Sequence, residues 1–492
     1  MLFNSLQFLI FFPLTTLVYF LIPHPFRWGW LLLASAYFYM SFVPVYILIL
    51  VATIVIDFFC GILIENAKGR SRKFFLLVSI LANIGILFFF KYFNFFNENL
   101  LALTNFLHIA YDPLILKIAL PIGLSFHVFQ SISYTIEVYR GRQKAEHNIG
   151  ILALYVLFYP QLVAGPIERP QHLIHQFYER HKFEIRRILS GLTLILGGFL
   201  KKVVIADRLA QFVNPVFSNT TDYYGVSFMI AIIFFTFQIY CDFSGYCDIA
   251  VGSALVLGIK IMQNFDRPFF ARTVAKFWQR WHISLSSWLR DYLYYPIVFF
   301  FKKKNSFKLY LSSLITFTLI GLWHGANWTF IIFGTLQAVY LIVGQTTKAF
   351  RTQIVEWLGI VKWPKCYHVW QSIMVFGLFS LSLVFFRADT LSDVFYIFSH
   401  IGDGWSLFFS QITDIQFLNQ YVFIGYTRSE FFLAVFSVFI LILFEFLERK
   451  EWVRAFITRR PVFFGSFTFA FGVLTLLVFG KFSGQEFIYF QF

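Results

Sequence analysis

The sequence predicts an all-α integral membrane protein, and three observations carry that prediction. Hydrophobic residues make up 59% of the 492 and charged residues 13%, about half the charged share of a soluble domain, so too little polar surface remains to face water. Apolar runs long enough to cross a hydrocarbon layer about 30 Å thick, which takes roughly 20 residues of helix, recur along the whole chain. The runs are continuously apolar instead of alternating, which selects helices over the strands of a barrel.

Taken in order, the runs lie near 5–22, 28–43, 44–64, 74–96, 114–139, 151–165, 188–206, 226–257, 308–323, 327–348, 368–386, 430–447 and 463–480. They correspond to about 11–13 transmembrane or re-entrant helices in one polytopic membrane domain spanning 1–492. The first run lacks a basic leader and a small-residue cleavage site, so it reads as a retained span and not as a signal peptide. The longest mainly polar stretches, 166–187 and 402–429, are too short for a soluble domain and carry no repeat or low-complexity signature.

Forty Lys and Arg against 25 Asp and Glu leave a formal charge of +15. The excess gathers in short connectors, at 65–73, 140–144, 186–187, 302–304 and 449–460, and not on a face suited to nucleic acid, so no nucleic-acid partner is expected. By the positive-inside rule these connectors are cytoplasmic and the N-terminus is extracytoplasmic; the same clusters also read as anchors for lipid headgroups. Cys60, Cys241, Cys247 and Cys366 have no zinc-type spacing, so neither a metal site nor a disulfide framework is expected.

Charged and ionisable groups at membrane depth are costly, so those that persist mark cavities or satisfy one another. Three clusters stand out. In 273–295, Trp278, Trp281, Leu285, Trp288, Leu289, Tyr292 and Tyr295 share one helical stripe, opposite Lys276, Arg280, Arg290 and Asp291. The pattern predicts an amphipathic helix at the cytoplasmic interface or in the protein's waist, capped by Thr273 and stopped by Pro296, with His282 at the stripe's edge. That position admits both a hydrogen-bonded structural histidine and a reacting one.

The second cluster, Gly321-Leu322-Trp323-His324-Gly325-Ala326-Asn327-Trp328, forms the turn of a helical pair over 308–348. Its glycines let the backbone leave helical geometry and let a substrate approach. An imidazole, with an ordinary pKa near 6.5, is the side chain best poised to take a proton from a hydroxyl or thiol at neutral pH. His324 is therefore the candidate general base, against the plainer reading of a helix-capping residue.

The third cluster, 238–248, places Asp242 and Asp248 inside an apolar run, with the hydroxyls of Tyr240, Ser244 and Tyr246 as candidate donors. The two carboxylates are about 240° apart on a helix and do not form an acid–base pair. Support of a cavity wall is the role expected of them. The remaining histidines lie mostly in connectors, and His127 stands in an aromatic-rich span where packing is expected.

Taken together, these clusters make the chain one that resembles the membrane-bound O-acyltransferase (MBOAT) family, in its alginate O-acetylation branch. The likeness rests on Phe277-Trp278-Gln279-Arg280-Trp281-His282-Ile283-Ser284-Leu285-Ser286, on Trp323-His324-Gly325, on Pro160-Gln161-Leu162-Val163-Ala164-Gly165-Pro166-Ile167 and on the cluster from Tyr240 to Asp248. Asn264-Phe265-Asp266-Arg267-Pro268 and the closing Phe487-Ile488-Tyr489-Phe490 extend it over the whole chain. His127, in Leu124-Ser125-Phe126-His127, departs from the aromatic residue usual there.

The resemblance implies a helical shell around a tunnel, His324 as the family's catalytic histidine and His282 as the second polar residue of the site. Trp323, Asn327, Trp281, Ser284, Asp242 and Tyr240 are the accompanying candidates for binding substrate or lining the tunnel. It also implies acetyl-CoA as donor with no bound cofactor, residence in the bacterial inner membrane, and an extracytoplasmic SGNH-like acetyltransferase or polysaccharide-modification complex as partner beside the membrane lipid. The expected activity is acetyl transfer to an alginate-like extracellular polysaccharide, with His324 as base in a direct transfer and His282 polarising the carbonyl. Peptidoglycan O-acetylation and teichoic acid D-alanylation use the same chemistry. A transporter or flippase would show paired broken segments in two halves, which are absent from this sequence; a secretion-complex scaffold would need neither histidine.

Overall fold

The computed structural model describes residues 1–117, 120–301, 306–448, 461–482 and 486–488, the side chains of 461–468 excepted. The basic clusters at 302–304 and 449–460, and Tyr489 and Phe490 of the closing motif, lie outside the described residues. Among the described residues the secondary structure is all helical. Eight helices among these residues are long and apolar enough to cross a membrane: α1 (Pro44–Asn66), α2 (Arg70–Phe106), α3 (Ile185–Ser218), α4 (Val226–Leu257), α5 (Ser306–His324), α6 (Trp328–Thr346), α7 (Pro364–Arg387) and α8 (Arg428–Glu448). The protein is thus a multi-pass membrane protein.

Other apolar runs give shorter helices, and the residues that shorten them are visible. The run at 114–139 is helical only over Leu124–Tyr139, because Pro121 and Gly123, the latter at φ 77°, break it. The run at 151–165 is helical only over Ile149–Leu157, which Asn148 opens by accepting the Gly150 N–H at 2.9 Å. Pro160 and Pro166 bracket the non-helical segment beyond it. Two long helices also carry a wide π turn, at Phe88–Tyr92 in α2 and at Leu200–Ala206 in α3.

The chain divides into two compact units, one made of Met1–Gly197 with Tyr246–Gln263 and the other of Gly198–Gly245 with Asn264–Ile488. In the first, the carboxylate of Asp57 is buried among α1, α2 and Leu124–Tyr139. Ser79 Oγ donates to it at 2.6 Å and Asn83 Nδ2 reaches both oxygens at 3.0 Å, which offsets part of a burial cost of at least about 2.5 kcal/mol. His127, buried beside Thr53 Oγ1, belongs to the same polar core. Elsewhere in this unit Gly191 and Gly252 face each other so closely that a Cβ on either would stand 2.6–2.7 Å from the other's carbonyl oxygen.

The second unit is built on the α5–α6 hairpin and on α7. Gly321 and Gly334 let the hairpin close, since a Cβ on Gly334 would lie 2.1 Å from the Phe317 carbonyl oxygen. Backbones can approach this far only where side chains are missing. Thr318 and Thr335 hydroxyls meet across the same crossing at 3.0 Å. Trp278 Nε1 donates to Gln337 Oε1 at 3.3 Å, and Gln337 Nε2 donates to Ser382 Oγ at 2.7 Å, so one buried amide of α6 ties the segment before His282 to α7.

Candidate active site

The stretch 273–295 is not the single amphipathic helix expected. Thr273 caps a short helix, Val274–Trp278, by accepting the Lys276 N–H at 3.2 Å. The chain then turns, and His282 takes the left-handed conformation, φ 46° and ψ 54°, before a second helix runs over Ile283–Leu289. The cause lies outside the stretch. Asn264 accepts the Ile283 N–H on its carbonyl and the Ser284 N–H on Oδ1, both at 3.0 Å, while Asp266 donates its N–H to the Arg280 carbonyl at 3.0 Å. These bonds replace the helical ones that would run through 280–284.

The break buries what an interfacial helix would leave half wet. Trp278, Trp281, Leu285, Trp288 and Leu289 are all buried, whereas Tyr295, on the same predicted stripe, is exposed. Trp281 packs against Phe277, Phe265 and Phe379 with ring centroids 5.5, 5.1 and 4.9 Å away. A left-handed, non-glycine residue costs about 1–2 kcal/mol, and here the surrounding core holds it.

His324 is the last residue of α5 and is buried. Its ring lies 4.9 Å from that of Trp323, 5.1 Å from Phe386 and 6.2 Å from Phe333. Trp323 in turn lies 6.2 Å from His282, which has Phe243 at 4.7 Å on another side. Through the indole of Trp323 the two histidines belong to one buried aromatic cluster. Burial pushes the His282 imidazole down to about 3, so it is neutral at physiological pH and carries one N–H donor and one acceptor nitrogen.

On the Cβ side, both glycines of the turn are filled by Phe330. A Cβ on Gly321 would meet the Phe330 carbonyl oxygen at 2.1 Å, and one on Gly325 would meet the Phe330 ring at 2.2 Å. Asn327 caps α6, accepting the Thr329 N–H at 3.1 Å and donating to the Asp389 carbonyl at 3.2 Å. Ser284 is buried at the start of its helix.

Asp242 and Tyr240 find partners other than the nearby hydroxyls expected. Lys202 Nζ lies 2.6 Å from Asp242 Oδ1 and 2.9 Å from Asp207 Oδ1, and the Ile488 N–H donates to Asp242 Oδ2 at 2.7 Å. The Tyr240 hydroxyl donates to Glu445, and its ring lies 6.0 Å from that of Trp281. Lys202, Asp207, Glu445 and Asn264 were not among the sequence candidates. The first three carried a readable signal, since each is a charge inside an apolar run of α3 or α8; Asn264 carried none beyond its place in a motif. Among the described residues no three His, Cys, Asp or Glu side chains come together in a way that could hold a metal ion.

Residues 146–387, which include both histidines, match the membrane-bound O-acyltransferase family. The chain is 36% identical to a probable alginate O-acetylase of Azotobacter vinelandii, over 83% of this chain and 79% of the relative. It is 36% identical to the probable alginate O-acetylase of Pseudomonas aeruginosa, over 80% and 73% of the two chains. A peptidoglycan O-acetyltransferase of Helicobacter pylori is 33% identical, over 80% of this chain and 78% of the relative.

Proposed function

Since the chain belongs to the membrane-bound O-acyltransferase family and is a membrane O-acyltransferase, we propose that it moves an acetyl group from cytoplasmic acetyl-CoA across the bacterial inner membrane for O-acetylation of an alginate-like exopolysaccharide. His324 is the general base. It takes the proton of the acceptor hydroxyl as that oxygen attacks the thioester carbonyl; the C–O bond forms, the C–S bond breaks, and the proton passes on to the departing thiolate. His282, a neutral imidazole, offers its N–H to the carbonyl oxygen as negative charge develops there. The apolar walls around both rings exclude water that would hydrolyse the thioester.

The observation that supports this reading best is the shared contact with Trp323, which brings residues far apart in sequence into one buried cluster within the family-matched stretch. Acceptor chemistry at the outer face belongs to an extracytoplasmic SGNH-like acetyltransferase or a polysaccharide-modification complex, and the N-terminus is extracytoplasmic. The similarity to a peptidoglycan O-acetyltransferase supports a second reading in which the acetyl group ends on peptidoglycan.

His324→Ala, with its membrane level matched to wild type, tests both. Loss of polymer O-acetylation by about a hundredfold or more is expected of a missing general base. Acetyl content measured separately on exopolysaccharide and on muropeptides says which polymer receives the group. Unchanged acetylation of both would remove His324 from the reaction.

A further inference from the structure

We propose that the connector 347–365 is a binding surface for the anionic phospholipid headgroups of the cytoplasmic leaflet, and that it anchors the hairpin carrying His324 at a set depth. The connector joins α6 to α7, both long and apolar enough to cross the membrane, so it lies at a membrane–water boundary. Its first half is the ten-residue helix Lys348–Trp357, none of whose residues is buried. At 100° per residue Phe350, Ile354 and Trp357 share one narrow stripe, with Lys348 and Arg351 away from it. Phe350 is 64% exposed and Trp357 84%, and beyond the left-handed turn at Gly359 Trp363 is 68% exposed.

Apolar side chains of the crossing helices are exposed because acyl chains cover them. These three lie on the connector, where an apolar stripe beside basic residues is the pattern of a helix lying in the interface plane. Two exposed tryptophans suit the headgroup level, where amphipathic rings concentrate. Charge selects the leaflet. The connector holds Lys348, Arg351, Lys362 and Lys365 against Glu356, whereas the next one, 388–427, holds Asp389, Asp393, Asp403 and Asp414 with no Lys or Arg. A single crossing helix separates them, so the contrast assigns 347–365 to the cytoplasmic face, where anionic lipid attracts each surface cation. Arg351 also donates to the Gly344 carbonyl near the end of α6, which fastens the interfacial helix to the crossing one. At 1.5 Å per residue the 19 residues of α6 hold the His324 turn about 28 Å from this anchor.

The test uses the full chain in nanodiscs of phosphatidylcholine alone or mixed with phosphatidylglycerol. A nitroxide is placed at Phe350→Cys in a Cys366→Ser background, the other three cysteines being buried. Collision with an aqueous nickel chelate is expected to fall several-fold when phosphatidylglycerol is present, and Lys348→Gln, Lys362→Gln and Lys365→Gln together are expected to abolish that fall. If the labelled variant does not insert, a nitroxide on wild-type Cys366, in the first turn of α7 next to the connector, reports on the same boundary. Equal chelate access in both lipids overturns the proposal, as does protection that arises only when a cytoplasmic protein fraction is added. Neither readout depends on transferase activity.

Discussion

Asn264 holds Ser284: its Oδ1 accepts the Ser284 backbone N–H at 3.0 Å, at the start of the helix that comes after His282. The N–H is buried and has no helical acceptor at that position. Asn264→Ala is therefore expected to destabilise the protein by about 1–2 kcal/mol and to lower acyl transfer while insertion is retained. Thermal denaturation in detergent, run beside a transfer assay, checks this; an unchanged midpoint would mean the turn is held by packing alone.

Lys202 stands against two carboxylates, Asp207 and Asp242, with all three side chains buried. Removing the cation leaves uncompensated charge in a medium of low dielectric, so Lys202→Met is expected to cost about 3–5 kcal/mol. The double variant Lys202→Met with Asp242→Asn should recover part of the loss. Denaturant midpoints of the two single variants and the double one give the coupling directly, and simple additivity would contradict a shared cluster.

Gly334 has backbone on its open side, with the Phe317 carbonyl oxygen 2.1 Å from where a Cβ would stand. Backbone cannot swing away as a flexible side chain can, so Gly334→Val should force α5 and α6 apart at a cost of about 1–3 kcal/mol or more. Gly344, on the same helix, has open space instead, and Gly344→Val is the matched control. Quantities of inserted, monodisperse protein should drop for the first variant and hold for the second.

The depressed titration of His282 makes stability depend on pH. Its imidazole titrates near 3 in the fold and near 6.5 when unfolded, so the unfolded chain binds the proton first as pH falls. The contribution is complete above about pH 6.5 and is lost below it, by at most about 1.4 kcal/mol per pH unit. Unfolding midpoints between pH 7 and 5 should fall less for His282→Asn than for wild type. Parallel slopes would assign the acid sensitivity to other groups.

Hydropathy makes much of this architecture legible in the sequence. The run 226–257 coincides with α4, and 308–348 with the α5–α6 hairpin to within two residues at either end, because a lipid solvent imposes a long, local and uniform pattern. The break at His282 was not legible, since the stripe from Trp278 to Tyr295 is a sound helical pattern by itself and the competing bonds come from Asn264 and Asp266. The same holds for the π turn that carries Lys202. Asp242 could be singled out as a charge at membrane depth, but its pairing with Lys202 spans forty positions, and no local spacing encodes such a partner.

The left-handed backbone at 282 also governs how a saturation-mutagenesis experiment there would read. Two scores separate at this position: abundance in the membrane and turnover per molecule. Glycine and asparagine accept φ 46° most readily, so they should outrank alanine for abundance, while valine and isoleucine should rank last. An activity score uncorrected for abundance would mix loss of the imidazole with loss of the turn, and the asparagine variant is the one from which the chemical contribution of His282 can be read.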